Sequence, residues 1–203
     1  GENVKDMGLE GMRFDIVYGG GRITATIPSP GIHMVMNSLC AAAVGLTLGI
    51  EPELIKQGIE SYAPVEGRMQ IIKTQRLTLL DDSFNANPTS MAAAINIACR
   101  ASGRTVLILG DMLELGEKGA EYHRDMGKKA VECGADMMIG KGPLMKNACE
   151  ETERAGIETM HFDTSEDIMR ALDNCLRDGD TVLVKASHGT NLKDVAEYIK
   201  ANF

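Results

Sequence analysis

The rhythm of apolar and polar positions changes once along this chain, near residue 65. Before that point, Arg13 to Tyr18 alternates, Gly19-Gly20-Gly21 turns, and Arg22 to Ile27 alternates again. Period-two patterning on both sides of a glycine turn predicts a β-hairpin. The opening segment, Gly1 to Glu10, shows no strong element. After Pro28-Ser29-Pro30 the spacing predicts a helix from about Ile32 to Leu48, closed by Gly49. A second helix opens around Pro52 and runs to about Tyr62, and Ala63-Pro64-Val65-Glu66-Gly67 reads as a linker.

Beyond the linker, short β-rich runs alternate with helical periodicity. Predicted strands are Leu77–Leu80, Val106–Leu109, Met137–Ile139, Ile157–His161 and Thr181–Val184. The predicted helices between and after them are Pro88–Arg100, Gly119–Cys133, Pro143–Arg154, Ser165–Leu176 and Asn191–Lys200. Strands alternating with helices of this length imply a parallel sheet covered on both faces. The expected class is therefore α/β. A Rossmann-like C-terminal domain with a mainly parallel sheet follows a β-hairpin plus two-helix segment. That first segment reads as the tail of another domain, so the chain is expected to begin partway through a longer protein.

Composition narrows the function classes. The formal charge of −8 argues against a nucleic-acid partner, which calls for a basic face. No apolar run reaches the roughly 20 residues of a membrane helix, and no signal-peptide layout opens the chain, so a cytoplasmic location is expected. The five cysteines are scattered without a Cys-x-x-Cys, which indicates neither a disulfide framework nor a zinc site. Thirteen methionines and no tryptophan fit a Met-rich core.

Candidate chemistry collects at the strand ends, where open α/β sheets bind ligands. The first strand runs into Asp81-Asp82-Ser83-Phe84-Asn85-Ala86-Asn87-Pro88. There, acids and amides meet a helix N-terminus, which attracts anions, while carboxylates suit a ribose, a magnesium ion or an ammonium group. The bland reading is a turn rich in cap residues. The second strand ends in Gly110-Asp111-Met112-Leu113-Glu114-Leu115-Gly116, and the last in Lys185-Ala186-Ser187-His188-Gly189-Thr190-Asn191. The middle strands end plainly, in Gly140-Lys141-Gly142 and Asp163-Thr164-Ser165. His123 and His161 read as structural. No G-x-x-x-x-G-K-[ST] phosphate loop and no metal-ligand spacing occurs.

These residues resemble a known family. Gly31-Ile32-His33 with Asn37 and Ala41-Ala42-Ala43 is similar to the G-x-H-N-x-x-N-x-x-A-A helix of the Mur ligases, and Gly67-Arg68 to the Gly-Arg at their domain junction. The run from Asp81 to Pro88 resembles D-D-S-Y-N-A-N-P, found in the members that add D-alanyl-D-alanine to UDP-N-acetylmuramoyl-tripeptide. Leu109 to Gly116 with His123, and Leu183-Val184-Lys185-Ala186-Ser187, match the family's following loops. The D-N-P-R motif of the diaminopimelate- or lysine-adding members is absent.

The resemblance implies that residues 1–66 end a central ATPase domain and that 67–203 form the C-terminal domain. It implies an ATP-dependent ligase of peptidoglycan synthesis working through an acyl-phosphate. The cofactors would be ATP and Mg²⁺, the metal being held mainly by an upstream part. The upstream domains of the same enzyme would be partners, and this segment alone would be inactive. Asn37 would contact the adenine. Arg68 would reach the phosphates. Asp82 would bind the ribose, with Asn85 and Asn87 shaping its pocket. Lys185 and Ser187 would lie at the carboxylate of the incoming dipeptide, with Asp111 nearby. Arg68 and Lys185 would be the catalytic cations. Ala63 to Gly67 would be the hinge. Two positions depart from the pattern: Met34 replaces the first Asn of the helix motif, which weakens the adenine contact, and His188 stands where Arg is frequent.

Other readings of the same residues remain open at this stage. Asp81-Asp82 and Lys185 also resemble a phospho-receiver module, although that fold wants its aspartate after the third strand. A non-catalytic nucleotide-binding module, or a Mur-type ligase with another acceptor, also fits.

Overall fold

The structure, a computed structural model, describes all of residues 1–203. The chain divides into two compact units, Gly1–Pro64 and Val65–Phe203.

The first unit is a three-stranded antiparallel sheet with two helices. Its strands are β1 (Glu2–Asp6), β2 (Met12–Tyr18) and β3 (Gly21–Ile27), in that spatial order. The predicted hairpin is present, with Phe14 opposite Ala25 and Ile16 opposite Ile23. Its apolar face packs on α1 (Ile32–Thr47) and α2 (Pro52–Glu60) through Met34, Val35, Ala42, Ile55 and Ile59. The opening segment corrects the sequence reading, because β1 is a strand. Every β1 residue is exposed, so no alternation marks it. It is held by its ladder to β2 and by a polar cluster. Asp15 accepts from Asn3 at 2.7 Å, Arg22 at 2.6 Å and Thr24 at 2.6 Å, and Arg22 also reaches Glu2. On α1 and its C-cap, Ile32, Met36, Val44 and Leu48 are exposed. Their spacing in multiples of four makes one apolar stripe along a helix face.

The second unit carries a six-stranded sheet. Its elements are β4 (Gln70–Lys73), β5 (Thr78–Asp82), α3 (Pro88–Cys99), β6 (Thr105–Gly110), α4 (Gly119–Cys133), β7 (Met137–Lys141), α5 (Lys146–Arg154), β8 (Glu158–Phe162), α6 (Ser165–Cys175), β9 (Thr181–Lys185) and α7 (Lys193–Asn202). The strand order is β4-β5-β9-β6-β7-β8. All five predicted strands are present and parallel, and β4 is an added antiparallel edge strand. Its two apolar residues, Ile71 and Ile72, are adjacent and only half-buried, so neither alternation nor a buried run announced it.

Side-chain alternation sorts the sheet into two faces. Leu79, Val106, Ile108, Met137, Ile139, Val182 and Val184 pack against α6 and α7 through Ile168, Leu172, Val195, Ala196, Ile199 and Phe203. Leu80, Leu107, Leu109, Met138 and Leu183 point to the other face and are fully buried; α3 and α5 contact the sheet there. Helices α4 and α5 approach closely at Gly127, where a Cβ would lie 2.4 Å from the Ala148 carbonyl oxygen. The Met-rich core is present, with Met91, Met112, Met137, Met138 and Met145 fully buried. No disulfide forms. Cys149 and Cys175 are buried, whereas Cys40 is exposed and is no core residue. No helix is long and apolar enough to cross a membrane.

The chain passes from β5 through α3 to β6, and returns from β8 through α6 to insert β9 between them. The reversal in strand order therefore falls at β5, β9 and β6. Their carboxyl ends are where ligands bind in such sheets.

At the opposite edge, Arg104 ties four groups together. Its guanidinium donates to Asp180 at 3.2 Å, Glu158 at 3.1 Å, the Cys175 carbonyl at 2.9 Å and Met137 Sδ at 3.1 Å. Asp180 is 1% exposed, so Arg104→Met leaves a buried carboxylate without its cation. The expected loss is about 3 kcal/mol, read by urea unfolding; a change under about 0.5 kcal/mol, typical of surface sites, would contradict it. In the first unit, hydrogen bonds from Thr24, Asn3 and Arg22 hold the Asp15 carboxyl at about 2, against an ordinary 3.8. A depressed carboxyl contributes stability above its unfolded value and loses it as pH falls through the folded one. Asp15→Asn should therefore flatten the stability profile between pH 3.8 and about 2. An unchanged profile would mean that the cluster does not matter.

Candidate functional site

The two aspartates ending β5 point to opposite faces of the sheet, as the strand period requires. Asp81 lies on the α7 side. It accepts from Lys200 at 2.8 Å and from the Ser83 hydroxyl at 2.6 Å, and is fully buried. It ties the end of α7 to the sheet. Asp82 lies on the α3 side, in register with Lys185 of β9. The Lys185 ammonium donates to Asp82 Oδ2 at 2.6 Å and to the Asn85 carbonyl at 2.9 Å, and is only 2% exposed. Asp82 Oδ1 accepts the Met69 amide at 2.9 Å. Burial pushes the Asp82 carboxyl above its ordinary value, outweighing the pull of the Lys185 charge and the two hydrogen bonds. A carboxylate oxygen holds two acceptor positions, so each Asp82 oxygen keeps one acceptor position beyond the contacts above. A ribose diol fits that acceptor set.

The surrounding loops are tied to each other. The Ser187 hydroxyl accepts the Leu113 amide at 3.0 Å and donates to the Ala86 carbonyl at 3.3 Å. The Ser187 amide donates to the Asp111 carbonyl at 3.1 Å. One serine thus connects the loops after β5, β6 and β9. The Asp111 carboxylate, just past the end of β6, accepts the amides of Leu144 at 3.2 Å and Met145 at 2.7 Å in the turn that leads into α5. Gly142, with φ of 100°, passes so close that a Cβ there would lie 2.6 Å from the Asp111 carboxyl carbon. Asp111 therefore shapes the loops, with both oxygens engaged.

Asn87 is the N-cap of α3, in a capping box with Ser90, and the Asn85 side chain accepts the Ala86 amide at 2.9 Å. These two amides set the shape of the β5–α3 turn. Arg68 is exposed, with its guanidinium 4.2 Å from the centre of the Phe84 ring, a cation–π contact. Phe84 is 43% exposed, and His188 flanks it at 5.7 Å between centroids. Gly67, with φ of 70°, brings its carbonyl to the Phe84 amide at 2.9 Å. Asn37 belongs to the first unit, exposed on α1, with Met34 Sδ 3.9 Å from its amide nitrogen.

His123 is buried. Its Nε2 accepts the Met112 amide at 2.9 Å and its Nδ1 faces the Gly119 carbonyl at 2.6 Å. Those partners require the neutral ring with its proton on Nδ1, and the histidine holds the β6–α4 loop. His161 contacts the Gly142 carbonyl at 2.8 Å, also a structural position. Lys141 was passed over in the sequence. It donates to the Ser165 hydroxyl at 2.7 Å and to the Thr190 carbonyl. Its only signal was parity: it follows Met137 and Ile139 at two-residue steps and so shares their face.

With this geometry in place, the comparisons decide the family. A family model described as "Mur ligase, glutamate ligase domain" matches residues 67–188. The chain belongs to the Mur ligases. Similar curated Mur ligases are the UDP-N-acetylmuramoyl-tripeptide--D-alanyl-D-alanine ligases of Buchnera aphidicola and Bacillus subtilis. Each is 33% identical, over 94% and 86% of this chain and 41% and 39% of the relative. The chain thus spans about two fifths of the length of the curated relatives it matches. Among solved structures, a crystal structure of MurF from Acinetobacter baumannii superposes with a TM-score of 0.89 at 25% identity, over 98% of this chain and 44% of that one. The structure of MurC from Thermotoga maritima shares the fold, with a TM-score of 0.78 at 14% identity.

In this Mur ligase, His123→Leu leaves the Met112 amide buried without an acceptor. The expected loss is about 1–3 kcal/mol, and ¹⁵N NMR of the wild-type ring should find the Nδ1–H tautomer. An Nε2–H ring would contradict the hydrogen-bond assignment.

Proposed function

We propose that this chain is the C-terminal portion of an ATP-dependent ligase that joins D-alanyl-D-alanine to UDP-N-acetylmuramoyl-tripeptide. The step belongs to peptidoglycan synthesis in the cytoplasm, on which cell shape and division depend. One observation carries the reading. Asp82 and Lys185 pair at the point where the sheet order reverses, in a chain whose curated relatives bear the name of that ligase.

Bound ATP, with Mg²⁺ held mainly upstream, would supply the phosphoryl group that activates the tripeptide carboxylate. The residues here bind and orient. Asp82 receives the ribose hydroxyls, inside a pocket whose floor is shaped by Asn85 and the Asn87 cap. Arg68 offers an exposed guanidinium to the phosphates, where charge neutralisation does most of the catalytic work. Asn37 offers its amide to the adenine. Lys185 keeps the last of its three N–H donors for the carboxylate of the incoming dipeptide, while Ser187, its hydroxyl engaged with Leu113 and Ala86, and Asp111, whose carbonyl accepts the Ser187 amide, hold the loops beside it. Holding the amine of that dipeptide against the activated carboxylate turns a bimolecular attack into a local one.

Three variants of the full-length enzyme test this reading. Asp82→Ala should weaken ATP binding by about 1.5–3 kcal/mol, the range for charge-assisted hydrogen bonds. Lys185→Met should raise KM for D-alanyl-D-alanine more than KM for ATP. Arg68→Ala should lower kcat more than ATP affinity, since its charge matters most as the phosphoryl group transfers. Unchanged kinetics in all three would overturn the proposal. Because burial raises the Asp82 carboxyl, its charged form is lost earlier than usual as pH falls. ATP affinity should therefore drop on acidification at a pH above the ordinary carboxylate value of 3.8. Asp82→Asn should remove that step, and an identical profile in the variant would contradict it. For stability the sign is opposite: a raised carboxyl takes up its proton on folding, so its contribution falls as pH rises through that window.

A further inference from the structure

The half-buried ammonium of Lys141 has no place in the chemistry above, yet it reaches one of the site's loops. Lys141 ends β7 with its side chain on the α6–α7 face. Its ammonium donates to the Thr190 carbonyl and, at 2.7 Å, to the Ser165 hydroxyl at the start of α6. That hydroxyl donates in turn to the next carbonyl, of Asn191, at 2.9 Å. Two consecutive carbonyls of the β9–α7 loop are therefore held from below by a lysine–serine pair. Asn191 stands in the left-handed region with φ of 55°, where a non-glycine residue needs outside support. The acids near this ammonium are Glu166 on α6 and Asp194 on α7.

The backbone of Lys141 closes a circuit. The Asp111 amide donates to the Lys141 carbonyl at 3.1 Å, and the Ser187 amide to the Asp111 carbonyl at 3.1 Å. Within the loop, the Thr190 amide and hydroxyl both return to the Ser187 carbonyl, at 3.0 and 2.7 Å. The Lys141 ammonium on Thr190 completes a ring through the ends of β6, β7 and β9. Ser187 and His188 are carried on the segment that this ring encloses.

We propose that Lys141 is a positioning residue for acceptor binding: through Thr190, and with Ser165 through Asn191, it fixes the β9–α7 loop, and with it Ser187, beside the Lys185 that receives the dipeptide carboxylate. The inference rests on the reading that this loop receives the dipeptide carboxylate. A lysine suits the task because an ammonium donates in several directions from one point and its hydrogen bonds to carbonyls are charge-assisted. A residue with a purely structural role would affect stability without favouring one substrate.

The test compares Lys141→Met, Ser165→Ala and Lys185→Met in the full-length enzyme. Two readouts are taken: hydrogen exchange at the Thr190 and Asn191 amides, and separate KM values for D-alanyl-D-alanine and ATP. Lys141→Met should speed exchange at both amides and raise the dipeptide KM by about tenfold, with the KM for ATP within about twofold, the signature of lost acceptor binding alone. Ser165→Ala, a milder change that keeps the test open if Lys141→Met folds poorly, should do the same by about threefold. Wild-type exchange at both amides in these two variants overturns the proposal. So does a loosened loop with unchanged dipeptide KM when Lys185→Met does raise it. A dipeptide KM unmoved by Lys185→Met as well overturns the acceptor-site reading, and this inference with it.

Discussion

The second unit is organised around a buried ion pair between Asp82 and Lys185. The two residues end adjacent parallel strands in register, on the same face, and meet at 2.6 Å. Burying either charge alone is prohibitive, so each fixes the other. Their contact also fixes what lies around them. The Asn85 carbonyl is drawn to the ammonium, and the Met69 amide, just past Gly67 and Arg68, is drawn to the carboxylate. The turn into α3 and the start of β4 are thereby referred to one point. A pair of this kind is weak evidence for stability, since desolvation offsets much of the attraction. Its value is positional: it refers the β5–α3 turn and the approach to β4 to one fixed point.

The loops above the pair follow from topology. Inserting β9 between β5 and β6 brings three βα loops side by side, and each supplies groups that the others need. Ser187 joins the loops after β5 and β6. Asp111 holds the turn into α5 with its carboxylate and accepts the Ser187 amide with its carbonyl. Lys141 closes the ring below. No buried side-chain polar atom in the protein lacks a partner, so this polar network is fully satisfied. Complete networks rigidify the groups they contain. Binding sites gain from such rigidity because the ligand then need not order the loops itself.

Much of this was legible in the sequence, and the exceptions have physical causes. Parallel strands buried on both faces read as continuous apolar runs, which is why Val106 to Leu109 and Thr181 to Val184 could be placed within a residue or two. Strand β1 was invisible because its side chains are all in water and its pairing is made by backbone. The acids at Asp81 and Asp82 stood out in the sequence, but their separation onto opposite faces needed the sheet: one is a tether to α7 through Lys200, the other the partner of Lys185. Likewise Asn87 and Asp111 stood out by chemistry, while the cap of one on α3 and the grip of the other on the turn before α5 became visible only in three dimensions. Lys141 was missed for the opposite reason. It sits between two glycines at a plain strand end, and its partners, Ser165 and Thr190, are 24 and 49 residues away.

The most direct test of this account is a double-mutant cycle on the central pair. Asp82→Asn, Lys185→Met and the double variant would be compared through kcat/KM in the full-length enzyme. If the two residues act as one unit, the double variant loses little more than the worse single, a coupling of about 1.5 kcal/mol or more. Losses that add to within about 0.5 kcal/mol would mean that the residues act independently, and the ion pair would not be the element on which the site is built.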